Sequence, residues 1–341
     1  MRDVVYRIKS SDFSVCEING KSCKKCAHKF PEAVAVAELF KKHNNLKMII
    51  DARKPKFLKG GFSQEKIIGE RIGILPDGRK LNKAYSLFAP ELNIHDEKSN
   101  SHWDIIFKNP NGEFAYVYSV EKMKLSTAAK YKKVNEFSKC LPRLKKNLIK
   151  AINDDALVLP MLILLKTKMR VGNEIYYLQN HHKGLTTLKK KNIKIVGNKI
   201  AFDYIAKDGV PQKTSENFSN AVIEKLKKVL GPRKMNDFVF IDSRGRPLKD
   251  TAFELAFEKY CGKKFYPHIV RSHYATDETE KFLRKKKKIS KDEAEKFYLK
   301  IAEKLGHKKF SKKLGWENSY QVTLHHYVWP ELVEKIGRLI Q

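Results

Sequence analysis

Between Ala156 and Met169 almost every residue is apolar, on every side of a helix that turns once in 3.6 residues. A helix without a polar face cannot lie on a surface, so the chain must wrap a core around it. A length of 341 residues is enough for two ordinary domains with cores of their own. The longest apolar stretch, Leu157 to Leu165, is too short to span a bilayer. From about residue 133 onward the surrounding pattern is helical too. Val134, Phe137, Leu141 and Leu144 form one stripe, and a helix is expected over Asn217–Leu230. Ser290 and Glu293 make a capping box for a helix that carries Phe297, Ile301 and Leu305 and stops at Gly306. A last helix follows Pro330, with Leu332, Val333, Ile336 and Leu339 on its buried side.

One β excursion interrupts this domain. Residues 193–196 and 200–205 read as strands joined by Gly197-Asn198, and Lys207-Asp208-Gly209 marks a tight turn straight after them. Nearer the N-terminus the elements are shorter. Residues 32–42 read as a helix with one apolar face, and 103–107 and 114–118 as a hairpin across Asn109-Pro110-Asn111-Gly112. The expected class is α+β: a small β-containing N-terminal domain over 1–132 and a mainly helical domain over 133–341.

The charge balance narrows the partners. Seventy basic residues stand against 38 acidic ones, a net charge of +32. Such an excess repels itself unless a polyanion neutralises part of it, and duplex nucleic acid is the usual polyanion. No lipidation motif or strongly apolar amphipathic helix accompanies the charge, so a membrane is not an expected partner. The opening residues carry no apolar run, which predicts no signal peptide and an intracellular, soluble protein. Five cysteines in such a chain predict free thiols rather than a disulfide framework. Cys16, Cys23, Cys26 and His28 offer four soft ligands, but at spacings unlike those of zinc sites, so no metal is expected there.

Several dispersed segments hold the residue types that break a phosphodiester: a nucleophile, cations for the non-bridging oxygens, and an acid for the leaving group. Arg170 lies in Met169-Arg170-Val171-Gly172-Asn173-Glu174, where the apolar helix ends, and Gly184-Leu185-Thr186-Thr187-Leu188 follows. On its own it would be read as a cation complementing a helix C-terminus. Lys207 stands in Tyr204-Ile205-Ala206-Lys207-Asp208-Gly209, and Arg271 in His268-Ile269-Val270-Arg271-Ser272-His273-Tyr274. His307 closes Ala302-Glu303-Lys304-Leu305-Gly306-His307. Two tyrosines come later, Tyr320 and Tyr327, the second within Leu324-His325-His326-Tyr327-Val328-Trp329-Pro330.

In this order the segments resemble those of the type IB DNA topoisomerases, cellular and poxviral, whose catalytic fold is shared with tyrosine recombinases. The stretch from Lys130-Tyr131-Lys132-Lys133 to Arg143-Leu144 resembles the poxviral segment that opens the catalytic domain. The resemblance covers about residues 130–330, and the earlier part carries no family motif. It implies transient cleavage of one strand of supercoiled duplex DNA through a 3′-phosphotyrosine, then religation, without metal, cofactor or ATP. Tyr327 would be the nucleophile, Arg170, Arg271 and His307 the phosphate ligands, and Lys207 the acid for the 5′ oxygen. Lys130, Lys132, Lys133 and His268 would contact DNA, with the chain closed as a monomeric clamp around the duplex.

Two departures stand out. His268 occupies a position where the family often has Lys, and H-x-x-R is the recombinase form. Poxviral enzymes and many recombinases place the tyrosine about nine residues after the histidine, where this chain has Trp316. Tyr327 is preferred to Tyr320 because its surroundings resemble the cellular nucleophile motif. A tyrosine recombinase and a non-catalytic basic DNA-binding protein are the alternatives.

Overall fold

The computed structural model describes residues 4–19, 22–95, 103–284 and 286–340. Two compact units divide between Ala129 and Lys130. The expected boundary at 132/133 and this division both fall inside one long helix.

In the first unit, β1 (Val5–Ile8), β2 (Val15–Asn19) and β3 (Ser22–Lys25) precede helix α1 (Pro31–Lys42). Then come β4 (Gly61–Ser63), β5 (Lys66–Ile68), β6 (Ile72–Ile74), β7 (Lys80–Tyr85), β8 (Asn93–Ile94), β9 (Ile105–Lys108) and β10 (Phe114–Val117). The first five strands form an antiparallel sheet in the order β3-β2-β1-β4-β5, β6 pairs with β7, and β8, β9 and β10 make a third sheet. Val36, Ala37 and Phe40 of α1 pack with Ile8, Leu58 and Tyr85 in the core of this unit. The β9–β10 hairpin has the predicted turn, although Trp103 and Asp104 stand outside the strand expected to include them.

The cysteines correct an expectation. The β2–β3 hairpin sets Cys16 opposite Lys25 and Cys23 opposite Ile18, so the two cysteines are diagonal neighbours with Cα atoms 5.6 Å apart. They form a disulfide, where free thiols were predicted. His28 instead stacks on Tyr6 at 4.8 Å, and among the described residues no group of three metal-ligating side chains converges. Among those residues, too, no helix is long and apolar enough to cross a membrane.

The second unit is mainly helical. Helix α2 (Val120–Lys150) starts well before the predicted onset at residue 133 and buries Val134, Phe137 and Leu144. The all-apolar run forms α3 (Val158–Thr167), surrounded as its composition requires, and ends at Lys168 in the left-handed region (φ +62°). Helix α4 (Glu174–Asn180) is capped by the Asn173 side chain. The β excursion has three antiparallel strands rather than two: β11 (Ile193–Val196), β12 (Lys199–Ile205) and β13 (Pro211–Asn217). Six helices and a second hairpin complete the unit: α5 (Asn220–Leu230), α6 (Asp250–Cys261), α7 (Ile269–Arg284), α8 (Lys291–Leu305), β14 (Lys308–Ser311), β15 (Gly315–Asn318), α9 (Gln321–His326) and α10 (Pro330–Leu339). Ser290 caps α8 as expected, accepting from the backbone N–H of Glu293 at 3.1 Å, and Gly306 ends it in the left-handed region.

Candidate active site

Each candidate catalytic residue lies at or beside the end of an element, whereas Lys130, Lys132 and Lys133 lie within α2. Beyond α3 the chain turns extended. The N–H of Leu185 donates to the carbonyl of Arg170 at 2.8 Å, and that of Thr186 to Val171 at 2.7 Å. Glycine is required at this crossing. A Cβ on Gly184 would lie 2.5 Å from the Gly172 nitrogen and 2.7 Å from the Arg170 oxygen. Lys207 sits exposed on the turn from β12 to β13, with Asp208 and Gly209 both at positive φ. His268 and Arg271 stand at the start of α7, His307 just after α8, and Tyr327 at the end of α9.

The fold gathers most of these around Tyr327, two of them at its oxygen. Arg170 donates to it from Nη2 at 3.1 Å, and His268 Nε2 lies 3.0 Å away. Arg170 Nη1 is 3.0 Å from the same His268 nitrogen. Guanidinium can only donate, so Nε2 carries no proton, and its single lone pair is shared between Arg170 and the Tyr327 hydroxyl. The Arg271 guanidinium carbon lies 5.0 Å from the centre of the Tyr327 ring and the Lys130 amine 5.7 Å from it. Tyr327 is only 4% exposed.

Arg271 is itself buried, and its bonds fix the other histidine. Nη1 donates to the carbonyl of Lys168 at 2.6 Å, and Nη2 to Leu305 O and His307 Nε2, each at 2.9 Å. Because His307 Nε2 accepts, its proton is on Nδ1, which donates to Thr323 Oγ1 at 2.7 Å. Burial, then the neighbouring Arg271 and Arg170, hold His307 down to about 3. Burial, then Arg170, Arg271, Lys130 and Lys207, bring His268 to about 3 as well. Both imidazoles are therefore neutral at neutral pH, while both guanidiniums stay charged. Among the described residues neither arginine is paired with a carboxylate, and Arg271 Nε has no partner.

Arg170, Arg271 and His307 also line a cavity of about 460 Å³, whose wall includes Lys168 and Lys207. Lys207 thus opens onto the same cavity without touching Tyr327. Lys130 is turned inward, donating to the carbonyl of His326, whereas Lys132 and Lys133 are exposed. Tyr320 lies elsewhere, stacked on Tyr298 at 5.9 Å at the start of α9.

The unusual tyrosine spacing has a structural origin. Of the twenty positions from His307 to Tyr327, eleven (Lys308–Asn318) form the β14–β15 hairpin. Its base is closed by the Ser319 N–H donating to the His307 carbonyl at 3.0 Å. The nine positions left are the interval expected from poxviral enzymes and recombinases. Thr323 and Lys168 escaped the sequence reading. A buried threonine and a lysine after an apolar helix carry no signal until Arg271 and His307 are placed beside them.

Comparison with known proteins bears on the same region. The family model for the eukaryotic DNA topoisomerase I catalytic core matches residues 120–324. DNA topoisomerase 1B of Acanthamoeba polyphaga mimivirus is 28% identical over 116 residues, 32% of this chain and 34% of that protein. The chain therefore spans about a third of that relative's length. Two solved structures of the XerH site-specific recombinase bound to difH substrates, pre- and post-cleavage, cover 49% and 50% of this chain and 46% and 45% of theirs. Their identities are 17% and 16%, with TM-scores of 0.34 and 0.35. The family match covers more than half of the chain and runs through Arg170, Lys207, Arg271 and His307: the chain belongs to the family of the eukaryotic DNA topoisomerase I catalytic core.

Proposed function

We propose that this protein is a type IB DNA topoisomerase that relaxes supercoiled duplex DNA by cutting and resealing one strand. One observation carries the reading. Of two guanidinium groups unpaired with any described carboxylate, one bonds a nearly buried tyrosine hydroxyl and the other lies against its ring, and a neutral imidazole beside the hydroxyl can take its proton. Buried, unpaired cations are costly unless an anion completes the site, and a DNA phosphodiester is the anion that such a basic chain meets. The Tyr327 oxygen attacks phosphorus, forming the new P–O bond while the bond to the 5′ oxygen breaks. The phenol proton passes to His268 Nε2, which becomes more basic once the phosphate brings negative charge beside it. Arg170 and Arg271 hold the phosphate oxygens as charge builds, His307 joins them once its Nε2 takes up a proton and turns from Arg271 to the phosphate, and Lys207 gives a proton to the departing 5′ oxygen. Religation is the same path reversed, and the energy kept in the phosphotyrosine removes any need for ATP.

Lys132, Lys133 and the N-terminal unit grip the duplex through its phosphates, the chain working as a monomeric clamp. The His268-x-x-Arg271 arrangement keeps a tyrosine recombinase as the second reading, which would show strand exchange between two DNA sites. The deciding experiment is plasmid relaxation with chelator present and ATP absent. Relaxation is expected, and its absence in folded protein would sink the reading. Tyr327→Phe should abolish the covalent DNA adduct while leaving DNA binding, and Tyr320→Phe should form the adduct normally. The opposite pattern would move the nucleophile to Tyr320.

A further inference from the structure

The β14–β15 hairpin lengthens the path from His307 to Tyr327 and, apart from Lys308 on the cavity wall, takes no part in the site just described. Its composition is lopsided. Lys308, Lys309, Lys312 and Lys313 stand against one acid, Glu317, and Lys309, Lys312 and Lys313 form no ion pair among the described residues. Two large apolar side chains face solvent beside them, Phe310 at 62% and Leu314 at 66% exposure. The tip is ordered by its own bonds. Gly315 adopts φ +72°, the Leu314 N–H donates to Ser311 Oγ at 3.0 Å, and Phe310 meets Trp316 edge-on at 5.4 Å. The base is tied to the site on two sides: through Ser319 to His307, and through Lys308 Nζ to the Pro211 carbonyl at 3.0 Å, just past the Lys207 turn.

Solvent-facing apolar groups ringed by unpaired lysines suit a polyanion that also has an apolar groove, and the site at the hairpin's base already calls for one. We propose that this hairpin is an added DNA-gripping arm. Its lysines would rest on backbone phosphates next to the cleaved one, and Phe310 and Leu314 against the groove between them. The proposal rests on reading the site as a DNA-cutting centre. It gives the inserted hairpin a use: grip is added next to the chemistry without moving His307 or Tyr327.

The test measures binding of a duplex oligonucleotide across a salt series, using the full chain with Tyr327→Phe so that no adduct forms. The combined variant Lys309→Ala/Lys312→Ala/Lys313→Ala is expected to flatten the plot of log affinity against log salt by about 0.9 for each phosphate no longer neutralised. Phe310→Ser/Leu314→Ser should weaken binding roughly tenfold while keeping the slope. Unchanged affinity and slope in both variants would overturn the proposal. If the slopes change as expected but the chain with Tyr327 intact forms no adduct, the arm stands and the reading of the site falls.

Discussion

His307 donates its Nδ1 proton to the hydroxyl of Thr323, four residues before Tyr327 and fully buried. The same threonine accepts the Tyr327 backbone N–H through its carbonyl at 3.0 Å. One residue therefore holds both the imidazole that faces Arg271 and the tyrosine between the arginines. Thr323→Val keeps the shape but leaves Nδ1–H without an acceptor. It should cost about 1–3 kcal/mol in urea unfolding and slow single-turnover cleavage, while Thr323→Ser restores both. Equal cleavage by the Val and Ser variants would deny Thr323 this positioning role.

Arg271→Lys tests the planar fork rather than the charge. Arg271 reaches Lys168 O, Leu305 O and His307 Nε2 together, which one ammonium on a flexible stem cannot copy. Cleavage is expected to fall by about 100- to 1,000-fold in a protein that still folds. A loss under tenfold would mean that charge alone suffices.

Gly184→Ala drives a Cβ into the Arg170 and Gly172 backbone, where no side chain can swing aside. A loss of about 1–3 kcal/mol in stability is expected, with cleavage impaired because Arg170 is carried on the displaced segment. Gly337→Ala in α10 is the control: nothing lies near its added methyl, and it should stabilise by about 0.5–1 kcal/mol. Similar unfolding midpoints for the two variants would contradict the close approach.

Neutral, buried histidines make stability depend on pH. His268 and His307 stay unprotonated down to about 3 in the folded protein, whereas the unfolded chain takes up these protons from its ordinary value of 6.5 downward. Their contribution is therefore complete above 6.5 and is lost as pH falls from there toward 3. Between pH 6.5 and 5, where most carboxylates are still ionised, the melting temperature should fall with pH. His268→Gln/His307→Gln should flatten that slope, and a double variant as steep as the unmodified protein would place the effect elsewhere.

What could be read beforehand follows the strength of each local signal. The all-apolar run became α3, and the Ser290 and Gly306 signals bound α8 as expected, because solvent exclusion and capping act locally. Strand β13, Pro-Gln-Lys-Thr-Ser-Glu-Asn, has no apolar alternation and forms through its pairing with β12, which no pattern in its own residues reveals. The β14–β15 hairpin was hidden for the same reason, and with it the cause of the long interval before Tyr327. The early start of α2 went unread because its first turns are lysine-rich with a weak apolar stripe. Arg170, Lys207, Arg271, His307 and Tyr327 were legible as dispersed segments. That His268 meets the phenol oxygen, and that Thr323 orients His307, are facts of distance between elements far apart in the chain.

Beyond the tyrosine the chain is pinned again. Tyr131 of α2 donates to the Val328 carbonyl at 2.6 Å, and its ring stacks on Trp329 at 5.7 Å. With Thr323 on one side and Tyr131 on the other, Tyr327 has no slack by which it could be lent to a second molecule. On the proposed function, each chain is expected to cut with its own tyrosine. A mixture of Tyr327→Phe and Arg271→Ala chains, each inactive alone, should stay inactive, because neither can borrow the part the other has kept.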